Sequence, residues 1–445
     1  MPMTDLPLAT PTPTQSEGLC AKATGTTLGS YLPLTWSIDL PALVIESGII
    51  AGDAGTPSEA DLTLIHEHEH LIQDTTTYYG VLALCRYLDM LTSLPPVNVA
   101  RSRAELEQLQ SVICATPKTD GWYQWRLASE GYAPADFECE KEYTVMDVTS
   151  TPVGLIESHV IHAVTVKVSQ RNKRKFDLRF GAYVICEALA AILDEELRDR
   201  PIDRLPKSGK APPYPYGMVR AVAKHLAKSR GVPSPSPAAL AVFCDRSLGT
   251  MVPGQSLYEY LQAYLSNHRR DPHAVCDGVD QAAGWDAAKE LRDLLQEFQA
   301  LVDRLNADGE MRALLDWLRD YVTTGTERRL ANRDAYLQPF LSGDPWKSCA
   351  ERIDLHPMPL VTDGSRKLKA SAGEQAVAAA RFLQGLHFAN QILTRAGADP
   401  CCTVYDSCNL AEKGPVCRTA PWMHALGTGE QVCAIGSAFS ALGVR

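Results

Sequence analysis

Ile65-His66-Glu67-His68-Glu69-His70-Leu71 is the stretch on which the reading of this chain turns. Ser58 ahead of it is a suitable N-cap, and Glu59 and Asp61 put acid into the first turn. The pattern predicts a helix running to about Gln73. On a helix, side chains four apart share a face. His66 and His70 then stand one turn above another, and two imidazoles so placed can close on one divalent metal, zinc by default. His68 lies about 200° round from His66 at about 3.6 residues per turn, so it cannot join them. It is expected either in solvent or as a hydrogen-bonding partner to some other group. Gln73, about a turn beyond His70, is open to a supporting role or a surface one.

Outward from this segment, residues 36–50 (WSIDLPALVIESGII) are rich in apolar and β-branched side chains and predict one or two short strands. Residues 75–80 (TTTYYG) are poor helix material and suggest a break before a second helix over 81–91. Tyr78 and Tyr79 are core candidates. A short helix is expected over 103–114, whereas 121–146 is aromatic and acidic without a clear period. Residues 159–169 (HVIHAVTVKVS) alternate in their second half and predict a strand. Residues 175–180 (KFDLRF) would be its hairpin partner, with the basic run at 171–175 as the turn. His159 and His162, at odd spacing on that strand, point to opposite faces. From Gly181 to Leu197 the period becomes helical, and Glu187 sits there among apolar residues. A carboxylate in that setting is costly unless an arginine such as Arg179 or Arg220 pairs with it, or a metal binds it.

Beyond a Pro- and Lys-rich loop at 201–215, helices are expected over 217–229, 237–247, 256–267, 280–305, 311–323, 327–341 and 373–396. The last carries His387, expected to be packed or partly exposed. The fold class expected is α+β, mostly helical with a small sheet. The expected division is a flexible leader at 1–30, a metal-binding region at 31–200, a helical region at 201–399 and a Cys-rich segment at 400–445.

The bulk numbers narrow the function. The chain has 445 residues, 45% of them hydrophobic and 22% charged, as in a globular protein with a sizeable core. Its 43 basic and 53 acidic side chains give a formal charge of −10, which argues against nucleic acid as a partner. No apolar run of about 18 residues predicts a membrane span, and the leader lacks the pattern of a secretion signal. The 13 scattered cysteines suit a reducing cytoplasm, most of them as small buried apolar groups. Cys401, Cys402, Cys408 and Cys417 are dense enough for a structural zinc, a cluster, a disulfide or plain thiols, with no CxxC pair to choose among these. No Gly-rich phosphate loop and no GxSxG stands out.

Two motif frames overlap at the central segment. His66-Glu67-x-x-His70 fits HExxH, and His66-x-x-Glu69-His70 fits the inverted HxxEH. Glu67 and Glu69 flank the histidine pair at about 80° on either side, so either carboxylate could take a proton from water. Ile185-Cys186-Glu187-Ala188-Leu189-Ala190 resembles the Glu-small-x-Ala pattern that supplies a third ligand in gluzincin-type HExxH enzymes, which favours the first frame. The inverted frame would draw on Glu140, Glu142 or Glu157.

The chain thus resembles, at the level of these motifs, the zincin-like metallohydrolases of the gluzincin branch. The resemblance implies zinc held by His66, His70 and Glu187, with Glu67 as the general base. The substrate would be a peptide or small-molecule amide, laid along a sheet edge and attacked by a metal-activated water. It also implies an oxyanion donor, for which Tyr214, Tyr216 and His225 are candidates. Two rivals stand beside it. Glu67-x-x-His70 is also an ExxH pair of the kind used by non-haem iron oxygenases, di-iron ones included, with Glu157, Glu187 and Glu195 as further carboxylates. A non-enzymatic scaffold binding a protein through its helical half is the other.

Overall fold

A computed structural model describes residues 30–32, 37–40, 59–92, 125, 129–134, 136–156, 159–171, 173–197, 213–305, 309–341, 352–358, 360–363 and 368–369. The expected helices at 103–114 and 373–396, the loop residues 201–212, Glu157, His387 and the cysteines beyond 400 lie outside them.

The helix predicted around the His-Glu segment is present as α1, Glu59–Thr76, and α2, Tyr78–Thr92, follows with Thr77 alone between them. The expected break at 75–80 is therefore a bend. The hydroxyls of Thr75, Thr76 and Thr77 donate to the carbonyls of Leu71, Ile72 and Gln73 at 2.6, 2.7 and 2.6 Å. Such back-bonding bends a helix without ending it. Gly80 permits the tight joint, because a Cβ there would stand 2.3 Å from the Gln73 carbonyl oxygen.

The protein is α+β and mostly helical, as expected, with little sheet. β1, Ser30–Leu32, pairs antiparallel with β2, Ser37–Leu40. β3, Tyr143–Ile156, β4, His159–Gln170, and β5, Lys175–Phe180, form a separate antiparallel meander. The β4–β5 hairpin matches the sequence expectation, and β3 is an unforeseen third strand. The first sheet is completed by β6, Leu360–Asp363, and β7, Leu368–Lys369, in the order β1-β2-β6-β7.

The remaining helices are α3, Ala182–Leu197; α4, Met218–Arg230; α5, Pro237–Leu248; and α6, Pro253–Ser266. They continue as α7, Pro272–Ala282; α8, Ala287–Arg304; α9, Gly309–Ala331; and the single turn α10, Gln338–Leu341. Two expectations are corrected here. The helix expected over 280–305 is cut at Gly284, where φ is +70°, and restarts at Asp286, whose carboxylate caps the amides of Ala288 and Lys289. The helices expected at 311–323 and 327–341 are joined through Gly325 into α9, which ends at Ala331.

α1 packs against α3, α2 and α9; α3 packs on α5, and α8 lies along α2. Apolar side chains from Leu64 on α1 to Met358 form one continuous core. Tyr78 and Tyr79 belong to it, as do the buried thiols Cys85, Cys244 and Cys276. Among the described residues no helix is long and apolar enough to cross a membrane.

Candidate metal centre

The α1–α3 contact brings the three expected ligands together. His66 Nε2 and His70 Nε2 each stand 3.5 Å from Glu187 Oε2. One possible ligand atom from each residue lies within 4.8 Å of the other two. The two imidazoles meet edge to face, with ring centroids 5.0 Å apart. The spacing argument from the sequence is thereby realised: one helical turn separates the histidines, and the facing helix supplies the carboxylate.

The two arginines expected as alternatives engage other groups among the described residues. Arg179 donates to Thr165 Oγ1 at 3.2 Å, and Arg220 forks onto Glu195 at 3.0 and 2.6 Å. Glu187 Oε2 is enclosed and, among the described residues, accepts no hydrogen bond. A buried acceptor left open between two imidazole nitrogens is an unusual expense unless something positive fills the gap. Two nitrogens and one carboxylate oxygen, all partly shielded from solvent, fit a divalent transition metal with a position left for a further ligand.

The electrostatics agree. Burial alone would neutralise both partners, but the His70 and then the His66 imidazole hold the Glu187 carboxyl well below the usual carboxylate range. Burial likewise opposes charge on His70, yet Glu187, with a contribution from Glu67, pushes its imidazole up.

Behind the ligands lies a buried polar network. His70 Nδ1 donates to Gln73 Oε1 at 3.0 Å. Gln73 Nε2 donates to Glu69 Oε1 at 3.2 Å and to the Cys186 carbonyl at 3.3 Å. The other oxygen of Glu69 pairs with Arg352, and these two side chains are 4% and 2% exposed. Arg352 also lies over the ring of Phe340, 4.8 Å from its centroid. His68 points away from the ligands, as helix geometry requires, and its Nε2 donates to the His356 carbonyl at 2.7 Å. His356 in turn reaches Thr75 Oγ1 through its own Nε2 at 2.7 Å. Burial, aided by the Arg352 charge, drives the His68 pKa down to about 3, and burial likewise holds His356 well below its usual value. Both rings are therefore neutral.

The two glutamates of the motif differ in circumstance. Glu69 is taken up by Arg352 and Gln73 on the buried side. Glu67, 7% exposed, lies close enough to His70 for its charge to raise that imidazole. Of the oxyanion candidates, Tyr216 packs beside His66 with ring centroids 5.8 Å apart. Tyr214 turns instead into an aromatic cluster with Phe137 and Tyr183, and His225 is half-buried on α4. Glu140 and Glu142 are exposed, Glu142 pairing with Arg171, and neither joins the ligand cluster.

Sequence reasoning missed Arg352 and His356. Each is an isolated residue far from the motif, with no local pattern to mark it. Comparison with known protein families, with characterised proteins and with solved structures finds no match to this chain.

Proposed function

We propose that the chain is a zinc-dependent hydrolase that cleaves a peptide or amide bond, with a centre of the zincin-like, gluzincin type. The observation that carries this reading is the convergence of His66 Nε2, His70 Nε2 and Glu187 Oε2 from two packed helices. A zinc ion bound there supplies a Lewis acid and lowers the pKa of water to about 7. The chain's own residues do the rest. His66, His70 and Glu187 hold the ion, and Glu187 offsets half of its charge. Glu67, beside His70, takes the proton of the attacking water and returns it to the departing amine. Tyr216, beside His66, is the nearest candidate to donate to the oxygen on which charge develops.

The test is metal stoichiometry in purified wild type, His70→Ala and Glu187→Ala, together with hydrolysis of a fluorogenic peptide library. The expected result is one zinc per chain in wild type and loss of both metal and hydrolysis in the variants. Two imidazoles and one carboxylate also suit non-haem iron(II). Stoichiometric iron with an oxygen-dependent absorbance would therefore replace the hydrolase reading by that of an oxygenase.

A further inference from the structure

The network behind His70 has a direction, and that direction runs to the metal face. Gln73 is buried and can satisfy its amide in only one orientation. Its NH2 group faces two acceptors, the Glu69 carboxylate and the Cys186 carbonyl. Flipping the amide would set its oxygen against both. The oxygen must therefore face His70, where it accepts from Nδ1. A ring that carries its proton on Nδ1 offers the Nε2 lone pair, and Nε2 is the atom facing Glu187. The chain of causes reaches one step further back. The Arg352 guanidinium pairs with the other oxygen of Glu69 and so holds that carboxyl group in place beside Gln73.

We propose that Gln73 is a positioning residue for the metal centre, held by Glu69 and Arg352, which fixes His70 as an Nε2 ligand. This rests on the metal-binding reading above and adds the device that orients one ligand. Supporting hydrogen bonds of this kind set the tautomer and aim of ligating histidines, and their loss typically weakens metal affinity about 10–100-fold. Arg352, although it touches no ligand, becomes part of the centre's affinity.

The experiment uses the full chain with two probes, zinc(II) in competition with a chromophoric chelator and cobalt(II) for proton NMR. In wild-type cobalt protein, the exchangeable, metal-shifted proton of His70 should be on Nδ1 and protected from solvent. Gln73→Met keeps the volume and removes the acceptor. It should bind zinc about 10–100-fold more weakly and lose that protected signal. Zinc binding by Gln73→Met as tight as wild type overturns the proposal. So does a wild-type cobalt spectrum that places the His70 proton on Nε2, a measurement that stands even if the variant fails to fold. Wild type that takes up no metal, or His70→Ala that binds as tightly, removes the metal centre itself. An indifferent Gln73→Met in a metal-binding wild type removes only the positioning role.

Discussion

At the scale of single residues, Glu67 and Glu69 show how position alone separates two identical side chains. They flank the same histidine pair, but one faces the Arg352 guanidinium and the other lies beside His70. Glu67→Gln should therefore retain zinc and lose turnover by roughly 10²–10⁴-fold, the usual worth of a general base, as read by elemental analysis and peptide hydrolysis in parallel. Full activity in that variant would sink the assignment. Arg352→Met should act differently. It leaves Glu69 buried without its counter-charge, at a cost of about 3–5 kcal/mol visible as a lower urea midpoint. Retention of wild-type stability would mean that water or another cation reaches Glu69.

At the scale of elements, the joint between α1 and α2 decides where Gln73 and the three threonines stand. Gly80→Ala forces a Cβ against the carbonyl oxygens of Gln73 and Asp74 at 2.3 and 2.4 Å, both backbone atoms that cannot swing aside. The helices must part, at about 1–3 kcal/mol by the usual cost of overpacking. Zinc affinity should fall with stability, because Gln73 sits at the joint. A Gly80→Ala protein with unchanged thermal midpoint and zinc affinity would show the joint to be slack.

The same scale shows what was legible in the sequence. α1, the β4–β5 hairpin and α3 could be read because cap, alternation and period each spoke locally. β3 could not. A bulge between Val145 and Asp147 sets its buried residues, Val145 and Val148, three apart, and a second bulge follows at Pro152. The period-two signal is thus erased. Gly325 misled for a related reason. It reads as a helix breaker but lies inside α9, where a Cβ would meet Thr76 Cγ2 at 2.8 Å and His356 Cε1 at 2.9 Å. The demand for glycine there comes from two distant segments. Of the candidate site, His66 and His70 were legible through their spacing, and Glu187 through its apolar surroundings and the motif resemblance. The Arg352 and His356 contacts were not, since no periodicity links residues so far apart.

At the scale of the whole molecule, buried histidines tie stability to pH. His68 has a folded-state pKa near 3 and His356 one well below its usual value, against about 6.5 in the unfolded chain. Below about pH 6.5 the unfolded state binds the extra protons. The stability these rings contribute is thus complete above that pH and is lost as pH falls, by about 1.4 kcal/mol per unit for each ring. His70 runs the other way. Its raised pKa means that, without metal, its contribution is present below about pH 6.5 and is lost as pH rises through the folded value. Zinc must displace that proton. Apparent zinc affinity should therefore climb about tenfold per pH unit until His70 is deprotonated, as competition titrations at several pH values would show. An affinity flat in pH would mean that the proton is not there to be displaced.

The pairing of Glu69 with Arg352 spans 283 positions of the chain. On a ribosome adding roughly 5–20 residues per second, the arginine leaves the tunnel about 15–60 seconds after the glutamate it partners. Throughout that interval His66 and His70 have been made, while the Arg352 half of the Glu69 pair has not yet emerged. On the metal-binding reading proposed above, an ion bound in that interval meets His70 before its supporting pair is complete, so ordered loading waits for the segment that carries Arg352.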